Sequence, residues 1–400
     1  MSQAAPDANV PPEQEPSSDF AVRLGAAQRA GGLVVPVLTA VLAFLAGGVI
    51  VAATGHNPWT AYKGIWDGAG FNWLSHPWDT NTIHLDAFNL SQTLLTMTTL
   101  ILVGLAVAFP FRCGLFNIGG QGQYLVGVYF AVWLGSSFGH LDPFLHVTAC
   151  LVVGALAGAV YAGIAGLLKA TVGAHEVITT IMLNWIAIWV GEWLFGQQGP
   201  LQNSTQPSIP VSNDIADGAK LPIFWGPKLL QGLSIAIFIS VGMLVVYWLV
   251  INRTTLGFEV RAVGFNPEAA RSSGISVAKN YFLAMAIAGG FAGLGGALDI
   301  TGWEYRIGQL DIPASTVGFI GLAAALLGRN TAVGIGAASL LFGALINGTS
   351  GRQLDPNIFR PDLAGNLTII IQGLVILFVG LNLGTLVAGG RRRMRRQRPT

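Results

Sequence analysis

Residues 252–279 read NRTTLGFEVRAVGFNPEAARSSGISVAK, a polar segment between two long apolar runs. The segment carries four basic and two acidic side chains, whereas the whole chain is 52% hydrophobic and only 10% charged. Soluble domains contain roughly 25% charged residues, so this composition indicates a membrane protein. The segment is therefore a loop outside the membrane, and the apolar runs on either side of it are membrane-spanning helices.

A short helix is predicted inside this loop, because both of its ends carry typical signals. Asn266 is a good N-cap residue, and Pro267 suits the first helical position, where its missing N–H costs nothing. Glu268 complements the positive end of the helix dipole, and two alanines follow it. Gly274 can adopt the left-handed conformation that ends a helix. The sequence thus predicts a helix of about two turns over Asn266–Ser273.

Ten apolar runs predict an all-α integral membrane protein of about ten transmembrane helices, because a span needs about 20 apolar residues. They are Leu33–Thr54, Leu90–Phe111, Gly114–Phe138, Leu145–Leu168, Val177–Phe195, Leu230–Ile251, Asn280–Ile300, Pro313–Leu327, Ala332–Asn347 and Asn366–Val387. The eighth and ninth runs are short and rich in glycine. A single helical hairpin is the alternative for that pair.

The basic residues predict the orientation of the spans, because cytoplasmic loops of membrane proteins are enriched in Lys and Arg. With ten spans, both termini lie on one side, and 15 of the 21 Lys and Arg residues fall on that side. We therefore expect cytoplasmic N and C termini and a cytoplasmic loop 252–279. Residues 1–30 are expected to form a disordered tail, residues 31–388 the membrane domain, and residues 389–400 a basic tail that contacts anionic lipid rather than nucleic acid.

The third and eighth spans suggest an inverted repeat. Residues 114–135 read GLFNIGGQGQYLVGVYFAVWLG, and residues 312–328 read IPASTVGFIGLAAALLG. Each begins with a polar stretch interrupted by Gly or Pro and then becomes a smooth apolar run. Two copies that lie five spans apart cross the membrane in opposite directions, as in the inverted repeats of many transporters.

Polar groups inside these spans are candidates for a translocation path, because unpaired polar groups are costly within a membrane. Two interpretations of NIGGQGQ, residues 117–123, stay open. In one it is a broken helix that lines the path; in the other its amides are interhelical contacts and its glycines packing notches. For Asn184 on the fifth span, helix–helix hydrogen bonding is the favoured interpretation. The candidate path residues are Asn117, Gly119, Gly120, Gln121, Asn184, Ser315 and Gly318.

No enzyme motif is present in the sequence. There is no P-loop, serine elbow, HExxH motif or cysteine cluster, and the six histidines show no metal-ligand spacing. The candidate acidic groups Glu192, Asp299 and Glu304 fall at outer helix ends. This argues against a carrier with a carboxylate relay, although a sodium-coupled secondary carrier or a channel remains the alternative to an ATP-driven system.

Three motifs in order carry a family resemblance: CGLFNIGGQGQYLVG, HEVITTIMLNWIA and GFEVRAVGFNPEAARSSGIS, residues 113–127, 175–187 and 257–276. They resemble the permease subunits of bacterial ABC importers for nucleosides and simple sugars, a group related to ribose and branched-chain amino-acid permeases. The resemblance runs from about Asn57 to Val387. Gly120 and Gln121 stand where the family commonly has Ala-Glu, so a carboxylate is missing there.

The resemblance implies a multi-pass protein of the bacterial plasma membrane that works with several partners. These are a second, related permease, with a heterodimer favoured over a homodimer, a cytoplasmic ATPase that binds ATP and Mg²⁺, and an extracellular lipid-anchored binding protein. It implies no cofactor and no metal in this chain. It also implies that the short cytoplasmic helix is a coupling helix that docks on the ATPase. The expected coupling residues are Gly264, Asn266, Pro267, Glu268, Ala269, Ala270, Arg271 and Gly274.

Overall fold

The computed structural model describes residues 40–53, 55–75, 83–225 and 232–349, together with five helical positions between 369 and 377. Both predicted tails and nearly all of the tenth predicted span lie outside these residues. The helices of the described part are α1 Ala40–Ala53, α2 Pro58–Gly68, α3 Asn72–Ser75, α4 Ile83–Phe111, α5 Gly120–Ser137, α6 Pro143–Val172, α7 Glu176–Phe195, α8 Ala236–Arg253, α9 Thr255–Phe265, α10 Pro267–Ser272, α11 Val277–Asp299, α12 Asp311–Ala314, α13 Val317–Leu327 and α14 Ala332–Gly348. A π-helical turn, Ile300–Glu304, extends α11.

Five helical segments of the described residues are long and apolar enough to cross a membrane. They are Leu85–Phe111, Pro143–Val172, Glu176–Phe195, Ala236–Arg253 and Val277–Glu304. Three shorter apolar helical segments, Ala40–Ala53, Asp311–Leu327 and Ala332–Gly348, coincide with parts of the first, eighth and ninth predicted spans. The protein is therefore a multi-span helical membrane protein, and the total of ten spans stays a prediction.

The core is built around α4 and α11, and glycines allow α11 to approach α6 very closely. A Cβ atom on Gly158 would lie 2.3 Å from the carbonyl oxygen of Gly289, and one on Gly154 would lie 3.3 Å from that of Gly293. The two glycines on α6 are four residues apart, and so are the two on α11, so small residues line one face of each helix. Backbones that touch in this way gain packing without a hydrophobic driving force, which is how helices associate in lipid.

One part of the fold differs from the all-α prediction. Residues Ile223–Trp225 and Leu233–Ser234 form a two-stranded antiparallel ribbon, and α8 begins at Ala236 rather than at the predicted Leu230. Leu233 is buried with Leu95 and Ile237, and its partner Trp225 packs on the same cluster. The apolar character of Leu233 therefore reflects this local cluster and not membership of a span.

Candidate functional site

The loop 252–279 contains two helices, α9 and α10, where the sequence predicted one. The predicted helix is confirmed as α10, since the Asn266 side-chain oxygen accepts hydrogen bonds from the backbone N–H groups of Glu268, at 3.0 Å, and Ala269, at 3.1 Å. Gly274 follows it with φ at +82°, the left-handed conformation expected there. The preceding helix α9 was missed. Its signal was present in Thr254, whose hydroxyl caps the helix by accepting from Gly257 N–H at 3.1 Å.

The exposed side of α10 combines charge with one prominent apolar group. Glu268 and Arg271 are exposed and pair at 3.4 Å, and Ala269 is exposed between them in sequence. Phe265, the last residue of α9, is 91% exposed, whereas Ala270 is only 4% exposed. An aromatic ring so exposed beside a rigid capped helix is the kind of group that anchors a protein interface. Phe265 was not among the residues expected from the sequence.

The end of α9 touches the membrane domain at the turn between α4 and α5. A Cβ atom on Gly264 would lie 2.2 Å from the carbonyl oxygen of Arg112, so only glycine permits this contact. On the other side of the contact, Gly114 adopts a positive φ of +75°. The expected coupling residue Gly264 therefore lies against the membrane domain and not on the exposed surface of the loop.

The chain after this turn is non-helical and largely buried until α5 begins at Gly120, six residues later than the predicted start of the span. The Asn117 amide explains the delay. Its Nδ2 donates to the carbonyl of Ala106 and to Gln123 Oε1, both at 3.0 Å. Its Oδ1 accepts from Gly119 N–H at 2.9 Å and from Gln123 Nε2 at 3.0 Å. These bonds replace the helical ladder and satisfy a buried, non-helical segment.

Two other predicted path residues complete the contacts around this segment. Asn184 on α7 accepts from Gly122 N–H at 2.8 Å and donates to the carbonyl of Ile118 at 2.9 Å. Gln121 Oε1 accepts from Gly318 N–H at 2.7 Å, near the start of α13. The broken beginnings of α5 and α13 thus meet directly.

The structure brings six of the seven candidate path residues into one buried group, which we call the junction. The junction consists of Asn117, Gly119, Gly120, Gln121, Asn184 and Gly318. Its amides are engaged mainly with protein groups, which is the interhelical role that the sequence left open beside path lining. Ser315 is separate from the junction, because it lines a cavity beside Asp299.

A cavity of about 580 Å³ lies where the far end of α11 meets α4, α5 and α12. Asp299, only 3% exposed, is a central polar group in its wall. Its carboxylate accepts hydrogen bonds from the hydroxyl of Thr99, from Tyr124 at 2.7 Å and from Trp303 Nε1 at 3.1 Å. The cavity volume falls in the usual range for small-molecule sites, and aromatic walls with a few placed polar groups are typical of them. We call it the Asp299 cavity.

The sequence placed Asp299 and Glu304 at a helix end but assigned neither of them to a site. Thr99 and Tyr124 are 200 and 175 residues away from Asp299 in sequence. Only the Asp299–Trp303 pair, four residues apart on one helix face, could have indicated the cluster. In the described part of the chain, His, Cys, Asp and Glu side chains form no group of three that could hold a metal ion.

Comparisons with known proteins agree on one family. Residues 89–380 match the family model described as branched-chain amino acid transport system / permease component. The chain is 34% identical to the guanosine ABC transporter permease protein NupP of Bacillus subtilis, over 88% of this chain and 94% of that protein. It is 35% identical to the glucose ABC transporter permease protein TsgB13 of Haloferax volcanii, over 86% of each chain. It is 28% identical to the guanosine permease protein NupQ, also of Bacillus subtilis, over 63% of this chain and 78% of NupQ. The chain matches no solved structure.

Proposed function

Because the chain belongs to this family of ABC transporter permeases, in its nucleoside and sugar branch, we propose that it forms part of the channel of an ATP-driven importer for nucleosides or related simple sugars. The chain has no P-loop, so the ATPase is a separate cytoplasmic chain that binds ATP and Mg²⁺. The permease itself carries no cofactor and performs no chemistry on the solute.

The observation that carries the coupling proposal is the contact of the two loop helices with both solvent and the membrane domain. Phe265 and Ala269 offer an exposed surface for the ATPase. One residue before Phe265, Gly264 rests on the Arg112 carbonyl. A displacement of α9 and α10 therefore acts directly on the α4–α5 turn. Rigid elements in backbone contact transmit such a displacement as a shift or tilt of the next element.

The α4–α5 turn leads straight into the junction. Asn117 lies three residues beyond Gly114, and the Gln121 side chain holds the start of α13 through Gly318. We propose that the ATPase moves this turn and thereby opens and closes the contact between the beginnings of α5 and α13. Solute passes the Asp299 cavity and Ser315 before it reaches the junction.

The meeting of two broken helix starts also supports the proposed inverted repeat. In such repeats, interrupted helices from the two copies approach each other close to the solute site. We propose ten spans with both termini in the cytoplasm and the loop 252–279 on the same side, in the bacterial plasma membrane. The distribution of Lys and Arg residues is the support for this orientation.

The comparisons support a heterodimeric channel. NupP and NupQ are two different permease proteins of one organism, both named for guanosine, and the chain resembles NupP along almost its whole length. We propose that this protein pairs with a paralogue that corresponds to NupQ. An extracellular, lipid-anchored binding protein delivers the solute.

Reconstitution tests the proposed function. The chain, its paralogue and the ATPase are placed in vesicles, and uptake of radiolabelled nucleosides and sugars is measured with the binding protein present. We expect uptake that requires ATP and stops when the ATPase is replaced by a hydrolysis-deficient variant. Uptake that runs on a sodium or proton gradient without any ATPase would show that the chain is a secondary carrier.

A further inference from the structure

We infer that Arg112 is a positioning residue that ties the turn after α13 to the α4–α5 turn, so that the ATPase moves α13 together with the beginning of α5. This role of Arg112 rests on the proposed function, because it requires that the ATPase displaces α9. The junction holds only the beginning of α13, whereas Arg112 reaches the other end of the same helix.

The Arg112 side chain contacts the chain just beyond the end of α13. Its Nη2 donates to the backbone carbonyl of Asn330 at 2.6 Å, and its Nε donates to the hydroxyl of Tyr247, on α8, at 3.4 Å. The Tyr247 hydroxyl donates to the same Asn330 carbonyl at 2.8 Å. Tyr247 and Asn330 are both buried, so water competes little for these bonds. A charged donor makes the bond from Arg112 to Asn330 a strong one.

Asn330 is firmly attached to the last turn of α13. Its backbone N–H donates to the carbonyl of Ala325 at 2.9 Å, and the N–H of Arg329 donates to the carbonyl of Leu326 at 3.0 Å. Arg329 and Asn330 have positive φ angles of +52° and +53°. Residues other than glycine keep this conformation only where the surrounding structure fixes it. A pull on the Asn330 carbonyl therefore acts on the end of α13.

Arg112 also carries the group on which the loop helix α9 acts. Gly264 of α9 rests on the backbone carbonyl of Arg112, while the Arg112 side chain holds Asn330. At the other end of α13, Gln121 accepts from Gly318 N–H. Both ends of α13, a helix about 17 Å long, are thus attached to residues 112–121. A displacement of the α4–α5 turn then carries α13 as a rigid body.

A simpler role for Arg112 has to be separated from this one. A cation beside the last carbonyls of a helix stabilises that helix without any part in transport. A contact that only stabilises lowers the unfolding temperature when it is lost, but leaves the solute uptake per ATP hydrolysed unchanged. A contact that transmits movement lowers the uptake per ATP hydrolysed of the assembled transporter.

The test measures uptake and ATPase rates of Arg112→Met in the reconstituted transporter, with labelled guanosine and labelled glucose as probes. Methionine keeps an unbranched side chain but has no hydrogen-bond donor. For whichever probe the wild type carries, we expect uptake per ATP hydrolysed to fall by about 2- to 30-fold, the usual range for changes that alter coupling between sites. The unfolding temperature of the same preparation reports any loss of stability separately.

Arg253→Met is the matched control. Arg253 ends α8, and its guanidinium lies 5.5 Å from the ring centre of Trp248 on the same helix. The control removes the same charge and side chain, but its ring contact lies within a single helix. We expect an unchanged uptake per ATP hydrolysed. An equal fall in Arg253→Met would show that the loss of a positive charge, and not of the Asn330 contact, is responsible, and would overturn the role of Arg112.

A double variant tests whether α9 and Arg112 act in series. Gly264→Ala forces α9 away from the Arg112 carbonyl, so it weakens the action on both ends of α13. Adding Arg112→Met then removes little more, and we expect the double variant to lie within about twofold of Gly264→Ala alone. A larger fall, up to the product of the two single effects, would show that Arg112 acts independently of α9.

The outcomes distinguish a failure of this role from a failure of the proposed function. If the wild-type transporter carries neither probe with ATP, both fail. If it carries one of them and Arg112→Met keeps the wild-type uptake per ATP hydrolysed, only the role of Arg112 is overturned. Should Arg112→Met not assemble, Arg112→Gln is measured in its place. Glutamine is two atoms shorter than arginine, so its amide can meet Tyr247 but not the Asn330 carbonyl; a lowered ratio supports the role, and an unchanged ratio overturns it.

Discussion

Cys113 and Cys150 are fully buried side chains whose positions determine how the protein reacts with thiol reagents. Cys113 lies in the α4–α5 turn and is 1% exposed. Burial raises the pKa of the Cys113 thiol to about 12, because the charged thiolate is disfavoured away from water. The raised pKa stabilises the folded state at pH values below about 8.5, which is the pKa of the thiol in the unfolded chain. This stabilisation is lost as the pH rises from there towards the pKa of the thiol in the folded protein.

We therefore expect negligible labelling of native protein by maleimide at pH 7–8, and rapid labelling after denaturation. Mass spectrometry of the intact chain, before and after unfolding in detergent, measures the number of modified thiols. Since the thiolate is the reactive form and both sulfur atoms are buried, access and ionisation act in the same direction. Labelling of Cys113 in the folded protein at a rate typical of an exposed thiol would contradict this prediction.

Single residues show which features the sequence alone could predict. The Asn266 cap and the Gly274 stop were predictable, because capping depends on residues only a few positions apart. The roles of Asp299 and Gln121 were not, because most of their partners lie on helices far away in sequence. Thr99 is 200 residues from Asp299, and Gly318 is 197 residues from Gln121. A buried amide or carboxylate needs hydrogen-bond partners, but the sequence does not identify those partners.

At the scale of elements, the contact between the end of α9 and the α4–α5 turn can be tested. Gly264→Ala places a Cβ atom 2.2 Å from the Arg112 carbonyl, so α9 has to move away from the turn. We expect solute uptake per ATP hydrolysed to fall by about 2- to 30-fold, the usual range for changes that alter coupling between sites. Uptake and ATPase rates in the same vesicles give this ratio.

Gly242→Ala is the matched control for this prediction. Gly242 lies in α8, and a Cβ atom placed there would meet nothing within 4 Å. It tests the general effect of replacing a helical glycine by alanine, which by itself favours helix formation. An unchanged ratio in Gly264→Ala, or an equal loss in Gly242→Ala, would remove the support for transmission through the turn.

The exposed alanine of α10 gives a test of docking. Ala269→Arg adds a bulky charge to the exposed side of α10, and we expect the ATPase to bind the permease more weakly. Co-purification of the ATPase and its stimulation by the permease measure this. Ala270 is unsuitable, because it is only 4% exposed and a large side chain there would disturb packing instead. Normal ATPase binding by Ala269→Arg would place the docking surface elsewhere.

The whole molecule has an orientation that cysteine labelling can determine. The two native thiols are buried, so a single exposed cysteine can be introduced without removing them. Ser272 lies on α10, and Ser208 lies in the long segment between α7 and α8. Both residues are exposed, so we choose the variants Ser272→Cys and Ser208→Cys. We expect a membrane-impermeant maleimide to label Ser208→Cys in intact cells, and Ser272→Cys only after the membrane is opened. The reverse pattern would invert the proposed topology.

The overall architecture was predictable to the extent that hydropathy determines it. The apolar runs predicted the long helices, because a membrane span must be both apolar and helical. Their exact beginnings were less predictable where a segment is buried without being helical, as at Asn117, or joins a ribbon, as at Leu233. A high hydropathy predicts that a residue is shielded from water. It does not distinguish burial in protein from burial in lipid.

The hydrogen bond between Gln121 and Gly318 has a consequence for leakage. It joins the beginnings of α5 and α13, which come from opposite halves of the chain. A Cβ atom on Gly318 would collide with the Gln121 backbone. Neither start can retract without breaking this hydrogen bond, so we expect the contact to be either fully made or fully broken. We expect a transporter closed in this way to open in single, complete steps, with little passive flow of solute or ions between strokes of the ATPase.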